Sequence, residues 1–163
     1  MKILVLGDPH IKKTNLYSFT AICNEILTQI DQLQPDMCIC MGDTLDTNDR
    51  LYLRAHVIAT RFFKDIAKRC QLIVLIGNHD RENNSDFLSD IHPFTGLEDN
   101  PKITIVWTTR CLQISGFNFI FVPYVYKGRF QEALNTVGYH PEKSTNHPDL
   151  LFCHQEFNGC MTL

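Results

Sequence analysis

Residues 36–46 read DMCICMGDTLD: a β-prone apolar run, Asp36 to Met41, closed by Gly42-Asp43. An unbroken apolar run with a polar stop is how a strand buried on both faces reads. The same grammar occurs upstream at Lys2 to Leu6, where the loop Gly7 to Lys13 carries Asp8-Pro9-His10. It recurs downstream at Leu72 to Ile76, closed by Gly77-Asn78-His79-Asp80. Two amphipathic stretches separate the three runs. From Thr14 to Leu33, Phe19, Ile22, Cys23, Ile26, Leu27, Ile30 and Leu33 recur every three or four residues, and Pro35 ends the helix they predict. From Arg50 to Cys70, Val57, Ile58, Phe62, Ile66 and Cys70 form a second stripe. Alternating strands and helices predict an α/β unit whose right-handed crossovers make the strands parallel. Ligands of such sheets collect at the carboxyl ends of the strands, and all three strand-end loops here carry Asp, Asn or His.

After Asn83 the pattern changes. Short strands are predicted at Ile103 to Val106, Arg110 to Ile114 and Phe117 to Val122, with Ser115-Gly116 as a hairpin turn. A short helix at Arg129 to Val137 and a polar loop (His140 to Pro148) lead to a last strand, Asp149 to Cys153, which ends in His154. Without repeats, low-complexity tracts or a linker, residues 1–163 read as a single domain. Composition agrees: 44% of the 163 residues are apolar, enough for a core. Fifteen Lys and Arg against 18 Asp and Glu give a net charge of −3, which excludes nucleic-acid binding by overall positive charge but not by a local basic strip or bound metal. No apolar run nears the ~20 residues of a membrane span, and MKILVLGDPH lacks the shape of a secretory leader. A cytoplasmic or nuclear protein, not secreted and in the host cytosol if viral, is expected. The seven Cys include no CxxC, and several sit inside apolar runs where they read as buried thiols rather than disulfides or a zinc site.

Asp8-Pro9-His10, Gly42-Asp43-Thr44-Leu45-Asp46, Gly77-Asn78-His79-Asp80 and His154 each follow a predicted buried strand, so the fold gathers them at one edge. Each piece alone is ordinary turn chemistry. Together, hard oxygen donors mixed with imidazole suit manganese, iron or zinc. His56, His92, His140 and His147 are expected in surface or loop roles.

The ordered set DPH, GDTLD, GNHD and a strand-terminal His resembles the calcineurin-like metallophosphoesterase superfamily. Within it, Lys102 to Tyr124 (KITIVWTTRCLQISGFNFIFVPY), the short helix at Arg129 to Leu134 and His154 to Gly159 (HQEFNG) are similar to nuclease subunits of the SbcCD type and their phage and eukaryotic counterparts. The resemblance implies an α/β/β/α sandwich of two mixed sheets. It implies two divalent ions, manganese foremost with iron or zinc as alternatives. Asp8 and His10 hold the first, Asp43 bridges both, and Asn78 and His154 hold the second. His79 is implied beside the scissile phosphate, with Asp80 orienting His79 or its loop. The implied reaction is hydrolysis of DNA phosphodiesters by a dimetal-activated hydroxide. The implied partners are DNA, held in part by Lys12 and Arg81, an SbcC-type coiled-coil ATPase, and a second copy in a homodimer.

Two departures stand out. Asp46 occupies a position where SbcD-type nucleases commonly carry His. The chain also reaches Leu163 without the family's Gly-His-x-His element, so an incomplete carboxyl-terminal end, with weakened metal binding and activity, is expected. The competing readings are a phosphodiesterase or phosphatase acting on a nucleotide or phosphoprotein, and a non-catalytic scaffold of the same fold. The absence of Arg-Gly after the second motif and of Gly-Asn-His-Glu at the third disfavours the serine/threonine phosphatase type.

Overall fold

The computed structural model describes residues 1–46, 48, 50–143, 145 and 147–157. Asn158, Gly159 and Cys160 of the sequence reading lie outside them. Three parallel strands form as the apolar runs require: β1 (Ile3–Leu6), β2 (Met37–Cys40) and β3 (Gln71–Leu75), linked by helices α1 (Leu16–Leu33) and α2 (Leu53–Ala67). Every residue of β2 is buried, as expected of a strand covered on both faces, whereas β1 lies at the sheet edge and, against the same expectation, is only part-buried with Val5 exposed. The α1 and α2 stripes pack on one face of this sheet, with Phe19, Ile30, Phe62 and Ile66 among the buried contacts, but Ile22 and Leu33 of the expected α1 stripe stay exposed at its margin.

Ile103–Val106 (β4) does not join the later hairpin; it adds a fourth parallel strand beside β3, giving the order β1-β2-β3-β4. This sheet is wholly parallel among the described residues, whereas the implied fold had two mixed sheets. A parallel neighbour needs a long crossover. Residues 76–102 provide one without an α-helix, through two 3₁₀ turns at Asn78–Asp80 and Thr95–Leu97. Because they lack a helical period, the sequence pattern gives no sign that they cross over. The crossover is anchored by side chains instead. Phe94 and Leu97 enter the helix-side core, while Phe87 and Leu88 pack on the far side of the second sheet.

That second sheet is mixed: β5 (Arg110–Ile114) and β6 (Phe117–Val122) are antiparallel, and β7 (Leu150–Cys153) lies parallel to β6. Phe119, Phe121 and Phe152 stack with ring centroids 5.6–6.3 Å apart and face Met37, Ile39, Ile73 and Leu75 of the first sheet. On the outer face, Ala133 and Leu134 of α3 (Phe130–Asn135) cover Ile120 and Val122. The layers are therefore helix, sheet, sheet, helix. At one end the sheets are joined by Tyr124, whose backbone N–H donates to the Ile76 carbonyl at 2.8 Å.

Candidate metal centre

The loops after β1, β2 and β3 are bound to one another before any ligand is considered. The N–H groups of His10 and Ile11 donate to the carbonyls of Asp43 and Thr44, both at 2.9 Å. Asp80, fully buried, accepts the backbone N–H groups of Thr44 (3.0 Å), Leu45 (2.9 Å) and Gly77 (3.3 Å). Asp43 Oδ1 accepts the His79 N–H at 2.8 Å. His10 and Asp43 sit at φ 44° and 47°, left-handed conformations that a non-glycine residue keeps only where its surroundings over-determine them. Gly77 permits the closest approach, since a Cβ there would overlap Asp43, and Gly42 (φ +108°) would place one 2.7 Å from His154 Nδ1. Gly7, by contrast, faces open space.

The side chains converge around Asp43. His10 Nε2 lies 3.7 Å and His79 Nε2 3.9 Å from Asp43 Oδ2, while His154 Nε2 lies 3.5 Å from Oδ1. His154 Nε2 is also 3.0 Å from Asn78 Oδ1, and Asp8 Oδ1 is 3.9 Å from His154 Nδ1. Asp8, His10, Asp43, Asn78 and His154 thus share one cluster, in a cleft of about 580 Å³ that also takes in His79, Tyr124 and Lys127.

Burial works against ionising Asp43, but hydrogen bonds from His154 and the His79 N–H, with the charge of both rings, hold its carboxyl below the usual range. Burial likewise opposes protonation of His154, yet Asp43 outweighs it and raises that pKa. Asp80 is pushed up to about 6 by desolvation, which outweighs the Leu45, Thr44 and Gly77 amides that pull it down.

These residues suit divalent ions. Ligand atoms sharing one ion stand about 3 Å apart, given bonds of roughly 2.0–2.2 Å, and single donors of Asp8, His10 and Asp43 all lie within 4.8 Å of one another. His154 Nδ1 is 2.8 Å from the Met41 carbonyl, the outer contact by which a ligating histidine is commonly oriented with Nε2 free to bind. His79 Nδ1 is buried without a hydrogen-bond partner. His10, Asp46 and His79 form a second compact donor group.

The sequence reading gathers Asp46 at this edge but gives it no role there. Its Oδ1 is 3.1 Å from His10 Nδ1 and its Oδ2 3.4 Å from Lys12 Nζ. The signal was there in GDTLD: Leu45 is held in a bridge to Ile11, which carries the next residue to His10. Lys12 is placed at this rim. Asp80 binds the loops and makes no contact with the His79 ring among the described bonds, so of its two expected roles the loop role is the one with hydrogen bonds to support it. Arg81 corrects its expectation. It is 3% exposed, and its Nη atoms donate to the carbonyls of Tyr124 and Asp86, so it fastens the β3 end to the second sheet rather than presenting charge to DNA. His92 lies in the crossover loop, as one of the two expected roles has it, but buried, and His56 sits in α2 with its Nε2 2.8 Å from the Pro93 carbonyl. No helix among the described residues is long and apolar enough to cross a membrane.

The family described as calcineurin-like phosphoesterase matches residues 1–160. A 244L protein of Invertebrate iridescent virus 6 that carries a phosphoesterase name is 39% identical over 98% of this chain and 55% of its own length. The 078R protein of Invertebrate iridescent virus 3, similarly named, is 35% identical over 98% of this chain and 46% of its own length. The chain spans about half the length of these curated relatives. Among solved structures, the phosphoesterase Yfce from E. coli aligns with a TM-score of 0.40 at 12% identity, covering 74% of this chain and 56% of that one, a likeness too loose to argue from.

Proposed function

The chain belongs to the calcineurin-like phosphoesterase family, and on that premise we propose that it is the metal-binding part of a nuclease that hydrolyses phosphodiester bonds in DNA. The observation that carries the metal reading is Asp43. Its Oδ2 faces His10 and His79 while its Oδ1 faces His154, so one buried carboxylate offers an oxygen to each of two positions. Asp8 and His10 hold one divalent cation there, and Asn78 and His154 the other, with manganese the expected metal. Such a pair supplies Lewis-acid charge and a strong nucleophile at neutral pH.

The chain's own groups do the rest. The His79 N–H fixes Asp43, and the His79 ring, 34% exposed in the cleft, stands where it can give a proton to a departing oxygen. Asp46 and Lys12 close the rim beside His10. Asp80 acts as a positioning residue through the Thr44, Leu45 and Gly77 amides.

DNA as substrate rests on the likeness of residues 102–124 and of the His154 motif to SbcD-type nucleases. With it come the proposed homodimer and coiled-coil ATPase partner, in the cytoplasm or nucleus. The test is hydrolysis by the purified chain of a DNA oligonucleotide, bis(4-nitrophenyl) phosphate, a nucleotide and a phosphopeptide. We expect cleavage of the first two, lost in EDTA, restored by manganese and absent in Asp43→Asn. Cleavage of the nucleotide or phosphopeptide in place of DNA would move the chain to the small-molecule or phosphatase reading. A purified chain that binds no metal would make it a scaffold.

A further inference from the structure

The backbone at Tyr124 and Val125 is held from three sides. The Tyr124 N–H donates to the Ile76 carbonyl beyond β3, and the Tyr124 carbonyl accepts Arg81 Nη1, both at 2.8 Å. The Val125 carbonyl accepts Gln155 Nε2, from just beyond β7, at 3.2 Å. Val125 is fully buried and anchors the segment. Tyr124 is only half-buried and lines the metal cleft. Its ring stands edge-on to that of His154, with centroids 6.3 Å apart and planes at 73°.

Arg81 bears the strain of this arrangement. A buried charge is ordinarily balanced by an opposite one, yet the hydrogen-bond partners of Arg81 among the described residues are two backbone carbonyls, those of Tyr124 and Asp86. That is a demanding way to fix a backbone position, and the position it fixes carries the ring beside His154. Around the cleft, few donor side chains remain once the metal ligands are set aside. Gln155 is occupied with the Val125 carbonyl, and Lys127 is exposed on a flexible stem. His79 and Tyr124 are left as donors on fixed backbone, and the Tyr124 hydroxyl has no hydrogen-bond partner among the described residues.

We infer that Tyr124 contacts the substrate, its hydroxyl donating a hydrogen bond to a non-bridging oxygen of the phosphate held at the metal cluster, with Arg81 as the positioning residue behind it. The inference rests on the phosphodiester reading above and adds a residue to it. A phosphodiester presents acceptor oxygens only, and a phenol is a neutral donor that keeps its proton at neutral pH. A donor fixed in advance needs no reorganisation as charge gathers on those oxygens in the transition state.

Tyr124→Phe removes the hydroxyl and keeps the ring and every backbone bond. Elemental analysis and urea unfolding should give wild-type metal content and midpoint. With manganese present, kcat/KM for bis(4-nitrophenyl) phosphate should fall about tenfold or more, the loss expected for one hydrogen bond to a charged acceptor. Inorganic phosphate, titrated by calorimetry with manganese, should bind more weakly by about fivefold or more. Arg81→Lys should weaken phosphate binding in the wild type and add nothing in the Tyr124→Phe background, because it acts through the hydroxyl. Wild-type kcat/KM and phosphate affinity in Tyr124→Phe overturn the inference. So does a fall in its metal content, or an Arg81→Lys loss of equal size in both backgrounds. Wild-type turnover that Tyr124→Phe leaves unchanged sinks this inference alone. A wild type without turnover, whose phosphate affinity still falls in Tyr124→Phe, sinks the hydrolytic reading alone.

Discussion

The strand ends that build the cluster are held in two different ways. Those of β1, β2 and β3 belong to one sheet and are bound amide to carbonyl and amide to the buried Asp80, so their donors are set by backbone. The end of β7 belongs to the other sheet. It delivers His154 through a side-chain contact to the Met41 carbonyl and a backbone bond from the His154 N–H to Val122 at 3.1 Å. The first group is preorganised by local bonding. The second depends on the packing of Phe119, Phe121 and Phe152 against the first sheet. A site assembled this way can lose one of its five donors, His154, through a core mutation made far from it.

Substitutions that strike the two parts separately test that contrast. Asp43→Ala, at the point where they meet, should lower phosphodiester turnover at least 10³-fold, about 4 kcal/mol, and reduce metal stoichiometry measured by elemental analysis. A variant with wild-type metal content would break the account. Phe121→Ala removes a fully buried ring from the inter-sheet stack and should cost about 3–5 kcal/mol in urea unfolding. Its metal affinity should fall as well, because His154 rides on the loosened sheet.

Asp80 sharpens the other half. Its carboxyl is raised to about 6 by burial, so the folded state holds that proton more tightly than the unfolded chain does. Stability is therefore greatest below the ordinary aspartate pKa and declines as pH rises through about 6, by roughly 3 kcal/mol at 1.36 kcal/mol per unit. Urea midpoints in EDTA should show this decline between pH 4 and 7 in wild type and not in Asp80→Asn. The smallest effect should come from a pair of glycines. Gly77→Ala collides with Asp43 and should cost about 1–3 kcal/mol, with metal affinity lost alongside. Gly7→Ala meets nothing within 4 Å and should change neither quantity measurably. Equal effects would mean that crowding around Asp43 is not what the glycine serves.

The sequence displayed what is periodic or follows directly from a period. The β2 run, the α1 and α2 stripes and the polar residues just beyond each strand lie close to where the pattern put them, and the cluster of Asp8, His10, Asp43, Asn78 and His154 follows from strand ends alone. Contacts between residues distant in sequence were not displayed. β4 joins the first sheet because of a crossover without helical spacing. Arg81 looked like a surface cation since nothing local announces that the Tyr124 carbonyl will bury it. Asp46 registered as a departure from a motif, while its contact with His10 depends on a bridge between two loops.

The β3–β4 crossover has an evolutionary consequence. Arg81, the pair Phe87 and Leu88, and the stretch His92 to Phe94 act as pegs driven into different parts of the molecule, and the short spans between them, residues 82–86 and 89–91, bury less. Lengthening such a span is cheap, about 0.6 kcal/mol for each doubling. Residues between the pegs therefore form an exchangeable cassette, in which descendants of one scaffold can acquire different appetites without rebuilding the frame that carries them.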